Sequence, residues 1–130
     1  MQGKFFLSDR SLKNLNGVHP HLLQLINCAI ALTPVDFIIT CGVRSIELQH
    51  QLVAAGKSLT MNSRHLTGHA VDVAAFVDNT VSWEWHNYEQ IAWSFRQASI
   101  NTGIPVEWGG DWKQFKDGPH FQLPFSDYPV

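Results

Sequence analysis

The sequence is poor in cysteine and in charged residues, and it has no long apolar segment. Its two cysteines, Cys28 and Cys41, are too few for a disulfide framework and form no C-x-x-C pair. We interpret both as small buried apolar side chains, with a bridge between them as the alternative. Nine Lys and Arg against eleven Asp and Glu give a formal net charge of −2. This is too little positive charge to follow nucleic-acid phosphates, so we expect no nucleic-acid partner.

Signals for membranes and for export are also missing. No stretch approaches the roughly 18 apolar residues of a membrane-spanning helix. The short apolar start of the chain is interrupted by Asp9 and Arg10, unlike a secretory signal. We expect a protein that is made in a cytoplasm without a signal peptide, does not insert into a membrane, and reaches any target outside the cytoplasm by another route.

Repeats, low-complexity tracts and Pro- or Ser-rich linkers are absent, so the sequence predicts one domain over residues 1–130 with no separate binding module. The apolar fraction of 45% is enough for a core. Apolar spacing predicts a helix over 21–32, with Ser45 and Ser82 as N-caps of a second and a third helix. The second helix carries most of its apolar residues on one side: Ile46, Leu48, Leu52 and Val53.

Strands are expected at four apolar or β-branched runs: residues 36–41, 69–77, 106–108 and 121–123. The order of helices and strands predicts an α+β fold, in which helices pack against a small, mainly antiparallel sheet.

A histidine and a carboxylate in the segment 63–72 point to a metal site. The chain has seven histidines, a high number for its length. His65 ends a polar loop, and Asp72 is the single carboxylate in an apolar strand. A buried carboxylate is costly unless a cation or several donors meet it. Zn²⁺ supplies that compensation, and His65 with Asp72 makes half of a catalytic zinc site.

The second half of the site is expected in the segment 117–122. His120 opens a predicted strand, and Asp117 precedes it across a Gly-Pro turn. Three ligands, His65, Asp72 and His120, leave a fourth position for water, as in hydrolytic zinc sites. Asp117 is then free to act as general base and general acid. The sequence therefore predicts one Zn²⁺ per chain.

Other interpretations of these residues remain open at this point. Asp72 could hold backbone amides, and His65 could be an ordinary loop residue. A helical pair of His65 and His69 is disfavoured by Gly68 between them and by the absence of Glu after His65. We assign no metal to the remaining histidines, which fit capping or solvated positions: His19, His21, His50 and His86.

The pattern S-x-H-x-x-G-x-A-x-D over residues 63–72, followed by D-x-x-H over 117–120, resembles a known family. It is similar to the zinc peptidases of the D-alanyl-D-alanine carboxypeptidase and dipeptidase superfamily. It resembles most closely the phage L-alanyl-D-glutamate endopeptidases, which are endolysins. The segments 42–45, 56–58 and 108–112 fit the same group, so the resemblance covers nearly the whole chain.

The resemblance implies the fold of the hedgehog and D-alanyl-D-alanine peptidase domains. It implies His65, Asp72 and His120 as zinc ligands and Asp117 as the acid/base, and Arg44 as the cation that steadies the oxyanion. It also implies a substrate cleft lined by four further residues: Ser63, Gln49, Trp108 and Trp112.

The activity implied by the resemblance is cleavage of the L-alanyl-D-glutamate bond in the peptidoglycan stem peptide, which lyses the host cell. A monomer that a phage holin releases to the periplasm is expected. Two alternatives stay open. One is a D-alanyl-D-alanine carboxypeptidase or dipeptidase on the same scaffold, and the other is a catalytically silent, zinc-stabilised module that binds peptidoglycan.

Overall fold

A computed structural model describes residues 5–58, 63–114 and 116–129. Within them the helices are α1 (Asp9–Asn14), α2 (Pro20–Leu32), α3 (Ile46–Ala54) and α4 (Trp85–Thr102). The strands are β1 (Phe37–Cys41), β2 (Ala70–Val77), β3 (Thr80–Ser82), β4 (Glu107–Trp108) and β5 (His120–Gln122), and 3₁₀ turns cover Arg64–Thr67 and Gly109–Asp111. Helices packed against a small antiparallel sheet confirm the predicted α+β class.

Helix α2 lies against α4 and presents the predicted apolar face to the core. Pro20 occupies the first turn, where its missing N–H costs nothing, and the helix ends at Leu32 before Pro34. Five apolar residues that recur at the helical three-and-four spacing are all buried: Leu22, Leu25, Ile26, Ala29 and Ile30. On α4, Phe95 stacks on Phe121 of the sheet with ring centroids 4.0 Å apart. This contact joins the helical layer to β5.

Helix α3 begins as predicted, because the Ser45 side chain accepts a hydrogen bond from the Leu48 amide. The side of α3 that carries most of its apolar residues is not buried. Ile46 and Leu48 are exposed, and the fully buried residue of α3 is Gln49. The helix therefore buries a polar side chain, which bonds to groups near the sheet.

The start of α4 also differs from the prediction. Ser82 is the last residue of β3, a short strand that the sequence did not predict, and Glu84 takes the N-cap position without a side-chain bond. The Ser82 hydroxyl still serves this junction, because it accepts a hydrogen bond from Asn87 Nδ2 at 2.9 Å. The helix therefore begins two residues later than a cap at Ser82 would place it.

The sheet has the order β1-β2-β5-β4, with β3 paired to the far end of β2, and every pairing is antiparallel. The register of β1 against β2 shifts between Ile39 and Cys41, which makes a bulge at Thr40. After the bulge, Cys41 lies opposite Asp72, and Asp72 lies opposite His120 on β5. Three neighbouring strands thus place three metal-ligating residue types in one row.

Both cysteines are free in the structure, so the bridge between them is excluded. Cys28 is partly buried and packs against the core, so its apolar character is confirmed but its full burial is not. Cys41 is only partly buried and faces polar groups, so that interpretation is wrong for Cys41. Within the described ranges, no helix is both long enough and apolar enough to cross a bilayer.

Candidate functional site

His65, Asp72 and His120 converge on one point at the middle of the sheet. His65 comes from the 3₁₀ turn before β2, Asp72 from the body of β2, and His120 from the first position of β5. His65 Nε2 and His120 Nδ1 lie 3.3 and 3.4 Å from the same oxygen, Oδ1 of Asp72. The two rings meet edge to face, with centroids 5.1 Å apart. The structure therefore brings together all three residues predicted as metal ligands.

The turn that carries His65 is fixed at both ends. Ser63 caps it, because its hydroxyl accepts a hydrogen bond from the His65 amide at 3.2 Å. Gly68 ends the turn in the left-handed conformation with φ of 78°. A Cβ at Gly68 would lie 2.6 Å from the Gly17 carbonyl oxygen. The backbone at Gly68 therefore lies closer to the backbone at Gly17 than a residue with a side chain would allow. These contacts account for the serine and the glycine of the 63–72 pattern.

The outer nitrogen of each imidazole is held by an oxygen that can only accept a hydrogen bond. His65 donates its Nδ1–H to the Gly42 carbonyl at 2.9 Å. His120 donates its Nε2–H to Oε1 of Gln122 at 2.7 Å. Each bond fixes the tautomer and leaves the inner nitrogen directed at Asp72. This orientation is the one that metal-ligating histidines require.

Charge coupling in the cluster shifts the pKa values of its members. Burial alone would raise the pKa of Asp72, but the close approach and the charge of the His120 and His65 rings hold it well below its usual range. Burial alone would lower the pKa of His65, but its close contacts with Asp72 and Cys41 raise that pKa to about 9. The geometry therefore stabilises a negative carboxylate and positive charge on the imidazole beside it.

The cluster fits a divalent metal ion by one further observation. Oδ1 of Asp72 is buried and, among the described residues, has no hydrogen bond of acceptable geometry. Burial of a charged oxygen without a hydrogen-bond partner costs on the order of several kcal/mol. Two imidazole nitrogens and this oxygen surround one position, so a bound cation satisfies all three.

Asp117 lies beside the cluster, on the loop before β5. Its backbone amide donates to the Gly109 carbonyl at 3.0 Å, and its carbonyl accepts from the His120 amide at 3.2 Å. A carboxylate oxygen of Asp117 lies within 4.8 Å of ligand atoms of Asp72 and His120. Burial, and then the charge of Asp72, raise the pKa of Asp117, against the opposing charges of His120, His65 and Arg44. A carboxyl whose pKa is raised is suited to proton transfer near neutral pH.

Arg44 places a guanidinium against the same cluster. Its Nη2 lies 3.4 Å from Asp72 Oδ2 and 3.6 Å from Cys41 Sγ. Its Nη1 donates to Oε1 of the fully buried Gln49 at 2.7 Å. Gln49 donates in turn to the Ser58 hydroxyl at 2.8 Å. Gln49 thus fixes the position of Arg44. The sequence pattern of α3 did not indicate this contact.

The two tryptophans predicted to line the cleft occupy different places. Trp108 is buried, and its indole N–H donates to the Gly118 carbonyl at 2.7 Å. Trp112 is partly buried, donates to Oε2 of Glu107 at 2.8 Å, and lies 5.1 Å from the His120 ring. Trp112 therefore borders the cluster, whereas Trp108 supports the turn that carries Gly118.

Cys41 is the residue near the site that the sequence analysis missed. Its Sγ lies 3.9 Å from His65 Nδ1, and ligand atoms of Cys41, His65 and Asp72 all lie within 4.8 Å of one another. Burial alone would raise the pKa of the thiol, but His65 and Arg44 lower it. The bulge at Thr40 directs Cys41 to the site, and a bulge leaves no signal in the residue pattern.

Comparisons with known proteins agree on one family. Residues 3–124 match the profile described as "Phage L-alanyl-D-glutamate peptidase". The L-alanyl-D-glutamate peptidase of Escherichia phage T5 is 31% identical over 117 residues, 87% of this chain and 85% of that protein. The peptidoglycan L-alanyl-D-glutamate endopeptidase CwlK of Bacillus subtilis is 30% identical over 122 residues, 82% of this chain and 73% of that protein.

A solved structure shares both fold and sequence with the chain. The crystal structure of the Serratia marcescens L-Ala D-Glu endopeptidase ChiX superposes with a TM-score of 0.92 at 52% sequence identity. The match covers 98% of this chain and 96% of that one.

Proposed function

Because the chain belongs to the phage L-alanyl-D-glutamate peptidase family, we propose that it is a zinc-dependent endopeptidase of peptidoglycan. It hydrolyses the bond between L-alanine and D-glutamate in the stem peptide. The observation that carries the proposal is the convergence of His65 Nε2 and His120 Nδ1 on one buried oxygen of Asp72, with Asp117 alongside.

Zinc is the metal that we propose for this cluster, at one ion per chain. Two imidazole nitrogens and one carboxylate oxygen are a donor set used by catalytic zinc sites, with a fourth position left to water or substrate. His65, Asp72 and His120 would hold it. When bound, Zn²⁺ supplies a Lewis acid and brings the pKa of water toward neutrality.

Asp117 is proposed as the proton carrier. Its carboxylate takes the proton from the attacking water and later gives it to the amine of D-glutamate as the peptide bond breaks. The raised pKa of Asp117 suits both steps. A carboxylate with a raised pKa is a stronger base toward water, and its protonated form is available to give the proton to the amine. Its position on a loop tied to Gly109 and His120 keeps the carboxylate beside the cluster.

Arg44 is proposed to stabilise the negative charge that develops on the carbonyl oxygen. Gln49 supports this role from behind, because its Oε1 accepts from Arg44 Nη1 and so fixes the guanidinium. A preorganised cation needs no rearrangement when the charge forms. Ser63 and the ring of Trp112 are proposed to border the substrate, Ser63 through its place at the start of the turn that carries His65.

We propose that the protein acts as a monomer on host peptidoglycan in the periplasm, after holin-dependent release from the cytoplasm, and so lyses the cell. The substrate supports this setting, because the stem peptide is found in the cell wall. Membership of the L-alanyl-D-glutamate peptidase family supports peptidoglycan as the substrate.

The test is mass spectrometry of purified Gram-negative peptidoglycan digested with the protein, with and without a zinc chelator. We expect new L-alanine C-termini on the glycan and free D-glutamyl amines, which the chelator abolishes and zinc restores. Release of free D-alanine would instead indicate the carboxypeptidase activity. Absence of cleavage with any metal would leave the binding module.

A further inference from the structure

Two exposed tryptophans stand at the start of α4, close to the proposed active site. Trp83 is 68% exposed and Trp85 is 43% exposed. Exposure of two indole rings within three residues leaves apolar surface in water, and such surfaces commonly mark binding sites. We refer to the two rings together as the Trp83/Trp85 surface.

Trp85 contacts the turn that carries the proposed proton carrier. Its Cζ3 lies 3.0 Å from the position that a Cβ would take at Gly118, the residue after Asp117. Its ring lies 5.4 Å from that of Trp108, whose N–H bonds to the Gly118 carbonyl. The indole therefore rests on the backbone beside Asp117, and this placement is set by packing on a fixed turn.

Trp83 is supported separately by a buried tyrosine. Its ring stacks on Tyr88 at 6.2 Å with an interplanar angle of 5°. The Tyr88 hydroxyl accepts from the Ala75 amide at 3.1 Å and donates to the Ser82 carbonyl at 2.8 Å. Tyr88 also borders Gly118, with its Cβ 3.5 Å from the position of the same added Cβ. Trp85 and Tyr88 thus both border the turn at Gly118, and Trp83 stacks on Tyr88.

The substrate class supplies a ligand of matching chemistry. In peptidoglycan, L-alanine joins the lactyl group of N-acetylmuramic acid, so only one amino acid separates the scissile bond from a sugar. Trp85 rests on Gly118, the residue after Asp117, so the Trp83/Trp85 surface borders the place where that bond is proposed to be cleaved.

We propose that the Trp83/Trp85 surface is a subsite for the N-acetylmuramic acid that carries the stem peptide. One face of a pyranose ring presents C–H bonds, which pack on the electron-rich face of an indole. The proposal rests on the proposed function, since the sugar is positioned by the peptide bond being cleaved. An enzyme with this subsite prefers stem peptides that are attached to glycan over the same peptides without a sugar.

The experiment compares two soluble substrates in the zinc-loaded protein. One is N-acetylmuramyl-L-alanyl-D-glutamyl peptide, and the other is the same peptide with an acetyl group in place of the sugar. We expect the wild type to have the higher kcat/KM on the first. Trp85→Leu, which still fills the space on Gly118 but offers no aromatic face, should lower the ratio of the two kcat/KM values roughly 3- to 10-fold. Trp85→Tyr should keep most of the ratio.

Trp93→Leu is the matched control, because Trp93 is 45% exposed on the same helix and lies two turns beyond Trp85. In Trp93→Leu the ratio of the two kcat/KM values should equal that of the wild type. Trp83→Leu should lower this ratio as Trp85→Leu does. An unchanged ratio in Trp85→Leu, or an equal loss on both substrates, would overturn the subsite while leaving the endopeptidase activity in place. Failure of the wild type to cleave either substrate would overturn the proposed function and the subsite with it.

Discussion

His120 donates its Nε2–H to Gln122, two residues further along β5, and this bond turns its Nδ1 toward Asp72. Side chains two apart on a strand point to the same face, so β5 supplies both the inner residue and the group that orients it. The ring of His120 therefore has one orientation before any metal binds.

Replacement of Gln122 by Leu should weaken metal binding about 10- to 100-fold, because partners of this kind contribute that much to metal affinity. Isothermal titration of the metal-free protein with Zn²⁺ measures the loss. Gln122→Glu keeps an acceptor for His120 and should retain most of the affinity. Equal affinity in Gln122→Leu and the wild type would show that the hydrogen bond does not orient His120 for binding.

Asp117→Asn should lower kcat/KM about 10²- to 10⁴-fold, the usual contribution of one general acid/base. The metal content should stay at one ion per chain, since the three proposed ligands are unchanged. Steady-state kinetics and elemental analysis on the same sample check both statements. Asp111→Asn, at an exposed aspartate in the same part of the chain, is the control and should keep full activity. Near-native turnover in Asp117→Asn would exclude Asp117 as the proton carrier.

Gly68→Ala should destabilise the protein more than Gly103→Ala does. Both glycines have positive φ, 78° and 76°, but a Cβ at Gly103 meets no atom within 4 Å, whereas at Gly68 it meets the Gly17 carbonyl. Gly103→Ala should cost about 1–2 kcal/mol in the free energy of unfolding, and Gly68→Ala roughly 1–3 kcal/mol more. Urea denaturation measures the difference. Equal losses would mean that the close approach of the 3₁₀ turn to Gly17 contributes nothing to stability.

The contribution of His19 and His69 to the stability of the protein should be lost as the pH drops below about 6.5. Burial, followed by neighbouring positive charge, lowers the pKa of His19 beside His21 and of His69 beside Arg64. A lowered pKa means that the unfolded chain binds more protons than the folded protein between that pKa and the ordinary value of about 6.5. The stability supplied by the neutral rings is therefore complete above pH 6.5 and is lost below it.

Denaturation at pH 7.5 and pH 5.5 tests this dependence. The ring of His19 lies 5.2 Å from that of His69 and 5.4 Å from that of Tyr128, so His69→Gln should reduce the loss of stability at pH 5.5. His50→Gln, at an exposed position on α3, should lose as much as the wild type. A loss of the same size in His69→Gln and the wild type would contradict the assignment to this cluster.

Local patterns in the sequence predicted much of the fold. The buried face of α2 follows from spacing alone, and the Ser45 cap follows from residue type and position. The burial of Gln49 could not be predicted, because its bond to Arg44 depends on how α3 lies against the loop after β1. The strand β3 was missed because its three residues are stable only through pairing with β2.

The residues of the candidate site could be predicted where their type stands out locally, and could not be predicted where their position depends on how strands pair. His65, Asp72, His120 and Asp117 stand out because carboxylates and histidines are unusual among apolar and glycine-rich neighbours, and the structure brings all four together. Cys41 could not be found, because one extra residue in β1 decides which side chain faces Asp72. Register between strands distant in sequence is a property of the folded sheet.

The strand β5 lies between β2 and β4, although it is the last strand of the described chain. Among the described strands, β4 pairs with β5 alone, and β5 pairs with β2 from a distant part of the sequence. Such long-range pairing is slow to form. The strand that completes the centre of the sheet is therefore also the strand that sets His120 opposite Asp72, so completing the sheet and assembling the candidate site are one folding event.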